Sequence, residues 1–294
     1  MFHKKTFKTW LVFLPVIMAV SILVGCAAKL PIWGDPQTGL ILQYRMAEGQ
    51  VLKYQLTIKQ AQDVEVMGHQ MKTETKGEIA FTAKSKGVKE NNQRLGITID
   101  SMIINIKSPQ GEISPDMSTV EGKSFDMIMS MLGKELDLSG AESIQYDLGQ
   151  AGKRDLTSNF QAVFPDLADR PVKVGDTWTS KDTITEKIGS GGIEINLESL
   201  NTLEGFETVD GLECAKITAK ITGTLEGGGH QGGADLAFKG EIKGTETWHF
   251  AYKEGFFVKQ IVDVFTKGAV SVRGPQEMSI PLAQNMKIET KLIK

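Results

Sequence analysis

Along most of its length this chain alternates apolar and polar residues with a period of two. Between Val51 and Lys59, Tyr54, Leu56 and Ile58 fall on one side, and Lys53, Gln55, Thr57 and Lys59 fall on the other. Successive side chains of a strand point to opposite faces, so this pattern asks for antiparallel sheet with one dry face and one wet face. Strands are expected at Ile41–Met46 and Val51–Lys59 around an Ala47–Gln50 turn, and at Thr75–Lys84 and Arg94–Ile106. More follow at Pro171–Trp178, Ile193–Leu203, Cys214–Leu225, Leu236–Tyr252, Phe256–Val272, Met278–Leu282 and Met286–Ile293. On the Leu236–Tyr252 strand, Trp248, Phe250 and Tyr252 share the dry face, and Lys243 and His249 fall on the wet one.

Residues 107–170 break the rhythm. Phe125, Ile128, Met129 and Leu132 stand at i, i+3, i+4 and i+7 after Ser124, with Gly133 as a stop, which predicts an amphipathic helix. Leu156, Phe160, Val163 and Phe164, ended by Pro165, predict a second. Weak strands near Glu135–Leu138 and Ser143–Leu148 lie between them. The fold class is therefore mainly β (α+β): one large antiparallel sheet with two amphipathic helices inserted mid-chain. Three pairs of stretches also echo each other: Glu48–Leu52 and Val174–Trp178, Gly77–Phe81 and Gly192–Leu197, Arg94–Ser101 and Glu213–Lys220. They suggest two similar halves, 40–106 and 171–294, with 107–170 as a helical insert.

The first 25 residues read as a secretory leader. Lys4, Lys5 and Lys8 precede an almost wholly apolar run from Trp10 to Val24, shorter than a stable bilayer span. The run closes on Leu23-Val24-Gly25-Cys26, which resembles the bacterial lipobox. That resemblance implies a diacylglyceryl group on the Cys26 thiol, cleavage after Gly25, and membrane attachment through the acyl chains. Ala27 in place of Asp after the cysteine favours the outer membrane, at its periplasmic face, in a host with two membranes. Residues 26–39, with Pro31, Gly34, Pro36 and Gly39, read as a tether, whose Trp33 is expected at the lipid interface rather than on the domain. Residues 40–294 then form a single β-rich domain.

Loss of the leader moves the formal charge from -3 to -6, because it carries three lysines and no acid. A mildly acidic surface argues against nucleic acid as a partner. With Cys26 acylated, Cys214 has no partner in the chain and reads as a small buried apolar residue. No histidine has metal-ligand spacing, and there is no Gly-x-Ser-x-Gly elbow, so neither a metal, a cofactor nor a catalytic residue is expected. The glycine-dense stretch Gly227–Gly233 leads into a strand, not a helix, and reads as a flexible hairpin tip instead of a phosphate loop. An enzyme would show His69, His230 or His249 beside a carboxylate in a cleft, which is not expected.

The lipobox, the Tyr44-Arg45-Met46-Ala47-Glu48-Gly49 segment and the stretch from Phe164-Pro165 through Arg170 to Trp178 together resemble a domain-of-unknown-function group of bacterial lipoproteins. The resemblance covers the mature chain and brings no reaction and no functional residues. In fold the pattern is similar to lipoprotein-carrier half-barrels, which implies a curved sheet with helices over its concave side. The leading expectation is a non-enzymatic envelope lipoprotein that binds a lipid or other hydrophobic ligand between sheet and helices. The Met-rich helix bearing Phe125, Ile128, Met129 and Leu132 would be its cover. The alternative is a structural or interaction lipoprotein with a solid core and an envelope protein as partner.

Overall fold

A computed structural model describes residues 33–66, 68–149, 152–188, 190–231, 233–273 and 277–293. The leader, Leu23, Val24, Gly25 and Cys26 of the lipobox, and the tether up to Ile32 lie outside the described residues.

Residues 33 onward open with a small hairpin, β1 (Gly34–Asp35) and β2 (Gly39–Leu40). Trp33 is partly buried against the core, which corrects its expected place at a lipid interface. Ile41 to Met46 forms no ladder. It runs as an extended strap whose Leu42, Tyr44 and Met46 are buried, bonded to distant backbone through Tyr44 N to Met131 O (2.9 Å) and Arg45 N to Gly255 O (2.9 Å).

The long strands come next: β3 (Val51–Val66), β4 (His69–Lys89) and β5 (Asn92–Ser108). Short β6 (Gly111–Ile113), β7 (Ser124–Ser130), β8 (Glu135–Asp137), β9 (Gln145–Asp147) and β10 (Lys153–Asp155) follow, then a one-turn helix α1 (Thr157–Phe160). Six more long strands complete the chain: β11 (Thr177–Ile188), β12 (Gly191–Val209), β13 (Leu212–Gln231), β14 (Ala234–Ala251), β15 (Phe256–Arg273) and β16 (Met278–Ile293). The expected split of the last strand at Leu282–Met286 does not occur.

All the long strands belong to one 12-stranded antiparallel sheet, in the order β11-β12-β13-β14-β15-β16-β3-β4-β5-β7-β8, with β6 on β5. The last strand, β16, pairs with the first long one, β3, which joins the two parts of the chain. The molecule is thus mainly β, built on a large curved antiparallel sheet, as expected.

The two amphipathic helices are absent, and their residues are used otherwise. Phe125, Met127 and Met129 are buried on β7 while Asp126 is exposed, a strand alternation that Ile128 and Leu132 overlaid with a helical spacing. The supposed cover is therefore a member of the sheet, with Leu132 in the turn that leaves it. Of the second helix only α1 forms, although Leu156, Phe160, Val163 and Phe164 are all buried.

β3-β4-β5 and β11-β12-β13 are both meanders, each started from a left-handed glycine, Gly49 (φ 82) and Gly175 (φ 90). Each glycine N–H bonds across its meander, to Ser85 O at 2.9 Å and to Leu203 O at 2.8 Å. The second turn of each meander also has two left-handed residues, Glu90-Asn91 and Asp210-Gly211. That conformation suits the right-handed twist of a tight hairpin.

Candidate functional site

Both ends of the sheet approach one segment, residues 131–176, and the chemistry gathers there. Strand β11 has a free edge on one end of the sheet, and β8 ends the other. No backbone ladder joins them among the described residues; side chains close the seam instead. Lys134, just before β8, donates to Asp182 Oδ1 (2.6 Å) and Lys181 O (2.6 Å) on β11. Arg154 on β10 donates to Glu186 Oε1 at 2.8 Å, and Lys187 to Asp155 Oδ2 at 3.1 Å. Thr185 N, an edge donor of β11, is taken by Gln161 Oε1 at 2.8 Å. These contacts cover an edge that would otherwise invite another strand.

Behind the seam the connecting segment packs against the sheet in its main apolar core. Phe160 packs edge-on against Phe81 and Phe125, at ring separations of 5.2 and 5.1 Å. Phe164 meets Tyr44, Tyr54 and Phe257 in the same manner. Tyr54 stacks on Phe257 at 4.6 Å and donates to Phe257 O at 2.9 Å, so its buried hydroxyl is satisfied. Tyr44 likewise donates to Pro165 O at 3.0 Å. These rings belong to a single continuous core that includes the strap, β7 and residues 141–172.

Four carboxylates and one lysine line the inner side of the seam. Glu135 accepts from Phe164 N (3.1 Å) and Ala162 N (3.3 Å), which pins the connecting segment and holds Ala162 in a left-handed conformation (φ 60). Burial pushes its carboxyl up to about 8, opposed by the N–H donors. Burial, and then the charge of Asp182, push Asp166 up to about 7, with Lys134 pulling the other way. Burial raises Glu246 on β14 to about 7 against the hydrogen bond from Gln260 Nε2 to its Oε1 (2.8 Å), and Asp182 and Asp166 add to the rise. Trp178, packed edge-on against Trp248, donates from Nε1 to Asp166 O at 3.1 Å. Sequence reading missed this group entirely. Its members come from four separate places in the chain, and no spacing links them. No group of three or more His, Cys, Asp or Glu side chains among the described residues is arranged to hold a metal ion.

The histidines depart from expectation. His249 is buried, not wet, and its Nε2 lies 2.5 Å from Glu207 Oε1. His230 Nδ1 lies 2.9 Å from Asp235 Oδ1 on an exposed hairpin. Two of the three histidines among the described residues, His230 and His249, therefore stand beside a carboxylate, but no nucleophile is joined to either pair among the described residues. Cys214 is fully buried and unpaired among the described residues, and burial raises its thiol to about 11. Gly227 and Gly228 serve close packing: a Cβ at the first would lie 2.2 Å from Gly192 O, and at the second 2.4 Å from Leu236 O.

No family model and no curated protein matches the chain. Among solved structures it is similar to an outer membrane channel from Pseudomonas putida F1, at 9% identity and a TM-score of 0.27 over 83% of this chain and 97% of that one. It is similar also to Pseudomonas aeruginosa OccK5 (OpdH), at 8% identity and a TM-score of 0.21 over 84% of this chain and 100% of that one. A BenF-like porin from Pseudomonas fluorescens Pf-5 matches at 7% identity and a TM-score of 0.20 over 84% and 100%. Alignments this loose do not establish a shared fold. The outward residues here include Lys53, Lys59, Lys239, Glu241 and Lys243, whereas a membrane barrel turns an apolar band outward.

The expected lipid-binding function is overturned. In the structure neither amphipathic helix that would have formed the chamber is present, and buried aromatic side chains of the connecting segment and the sheet pack together instead.

Proposed function

We propose that this chain is a non-enzymatic envelope protein: a rigid β-sheet body held at a membrane surface by acyl chains on Cys26, which works through its polar outer face. The observation that carries the reading is the filled interior, which leaves the surface as the place of contact with other molecules. The short apolar leader ending in Leu23-Val24-Gly25-Cys26 supports the anchor, and Ala27 supports the outer membrane. One acyl chain alone binds membranes marginally, so two or three chains are needed for lasting attachment. The resemblance to the domain-of-unknown-function lipoproteins is part of this proposal, and its partner is an envelope protein rather than nucleic acid.

Labelling with radioactive palmitate, followed by membrane fractionation, tests the anchor. Wild-type protein takes up label and sediments with membranes, while Cys26→Ser takes up none and keeps its leader. Unchanged labelling of Cys26→Ser would refute it. Native mass spectrometry of the purified body tests the rest: retention of a stoichiometric apolar molecule would overturn a closed interior.

A further inference from the structure

We propose that the seam between β8 and β11 is a proton-controlled clasp, shut while the carboxyls behind it hold protons and loosened when they ionise. The geometry that carries this is the arrangement of the sheet ends. Every other neighbouring pair in the sheet is joined by a backbone ladder, whereas among the described residues the β8 and β11 ends are linked by side-chain hydrogen bonds between β11 and Lys134, Arg154, Asp155 and Gln161. A backbone ladder is indifferent to pH in this range; a seam of charged side chains is not.

The groups facing one another are Glu135 on β8, Asp166 on the connecting segment, Asp182 on β11 and Glu246 on β14, with Lys134, just before β8, as the facing cation. Tyr44 on the strap faces Glu135, Asp166 and Glu246, and Tyr54 on β3 faces Tyr44. Both tyrosines stay protonated, since burial drives their hydroxyls well above the usual tyrosine range. Arg154 is spent on Glu186, and Lys187 on Asp155. One lysine already bound to Asp182 therefore faces two further carboxyls, Glu135 and Asp166, while Glu246 faces both aspartates, and full ionisation leaves the inner side of the seam with net negative charge.

The direction follows from where the protons are held. Glu135 moves from 4.5 to about 8, Asp166 from 3.8 to about 7, and Glu246 from 4.5 to about 7. Each carboxyl holds its proton more tightly folded than unfolded, so its contribution to stability is whole below the unfolded value and drains away as pH climbs to the folded one. The closed seam is thus tightest in mild acid and loosens between about pH 5 and about pH 8. Each proton released on opening raises the open population up to about tenfold per pH unit inside that window.

Hydrogen exchange of the full chain at about pH 5 and about pH 8, corrected for intrinsic rates, reads this directly. Residues 134–168 and the β11 edge should lose protection at the higher pH while the central ladders of β3, β4, β14 and β15 keep theirs. Glu246→Gln keeps an acceptor for Gln260 and removes one titrating group, so it should retain more seam protection at the higher pH. Asp166→Asn should act in the same direction, and Lys134→Met should make the seam looser at the higher pH. Equal protection of the seam at both pH values in wild-type protein would overturn the proposal whether or not any variant folds. A pH-dependent loss shared evenly by the central ladders, or left unchanged by both Glu246→Gln and Asp166→Asn, would overturn it as well.

Discussion

Replacing Phe160 by alanine separates a plug from a lid. Phe160 is 1% exposed and wedged edge-on between Phe81 and Phe125, so the substitution removes a complete ring from a closed interior. Truncating a buried phenylalanine costs about 3–5 kcal/mol where the walls cannot collapse. Two edge-to-face contacts, worth about 0.5–1.5 kcal/mol each beyond area, favour the upper part of that range. The walls here are fixed by sheet ladders on Phe81 and Phe125, so relaxation is limited. At about 2–4 °C per kcal/mol for a chain of this size, the midpoint of thermal unfolding should fall by roughly 8–20 °C. Calorimetry at about pH 6, where the seam should still be largely closed, measures it. An apolar hole of this kind stays dry and accepts small aromatics, so benzene should restore part of the loss in the variant and do nothing for wild type. A loss below about 1 kcal/mol would refute the reasoning, because surface substitutions rarely exceed that and the segment would then be a loose cover.

Three further outcomes are expected. Cys214 should resist a thiol-specific dye in the folded protein and react at once on unfolding, because it is buried and its thiol is raised to about 11; rapid labelling of folded protein would contradict this. Ala162→Gly should leave stability unchanged or raise it by up to about 1 kcal/mol in denaturant titration, since a left-handed alanine is strained by about 1–2 kcal/mol and glycine returns some of that as entropy. A clear destabilisation would mean that the turn at Ala162 is not strained. Tyr54→Phe should cost about 1–2 kcal/mol by leaving Phe257 O without its buried donor, measured in the same titration, and a neutral result would argue that water replaces the hydroxyl.

The sheet was legible because its signal is repeated. Tyr54, Leu56 and Ile58 alternate with polar residues, as do Ile217, Ala219 and Ile221, and both sets are inner-face positions of long strands. What misled was a coincidence of periods. Phe125, Ile128, Met129 and Leu132 satisfy a helical spacing, while Phe125, Met127 and Met129 satisfy a strand spacing, and the free edge of β5 decided between them. The second helix failed because Leu156 to Phe164 has its apolar groups supported on several sides by the sheet, so one turn of helix and an irregular segment bury them as well as a full helix would. His249 stood on the polar side of its strand, yet a bulge between His249 and Phe250 and the nearby Glu207 enclose it. The carboxyl group behind the seam had no sequence signal at all. Glu135, Asp166, Asp182 and Glu246 look like ordinary surface acids until the sheet curls and brings its ends together.

The amides of Ala162, Phe164 and Leu167 give the most direct test that the interior is filled and fixed. They donate to Glu135 Oε2, Glu135 Oε1 and Leu132 O, at 3.3, 3.1 and 2.7 Å, and two of them carry buried side chains. Native-state hydrogen exchange at about pH 6 should find all three protected by most of the global unfolding free energy. Exchange near the rate of an open loop, with the central ladders still protected, would show a segment that lifts from the sheet and would contradict a solid interior.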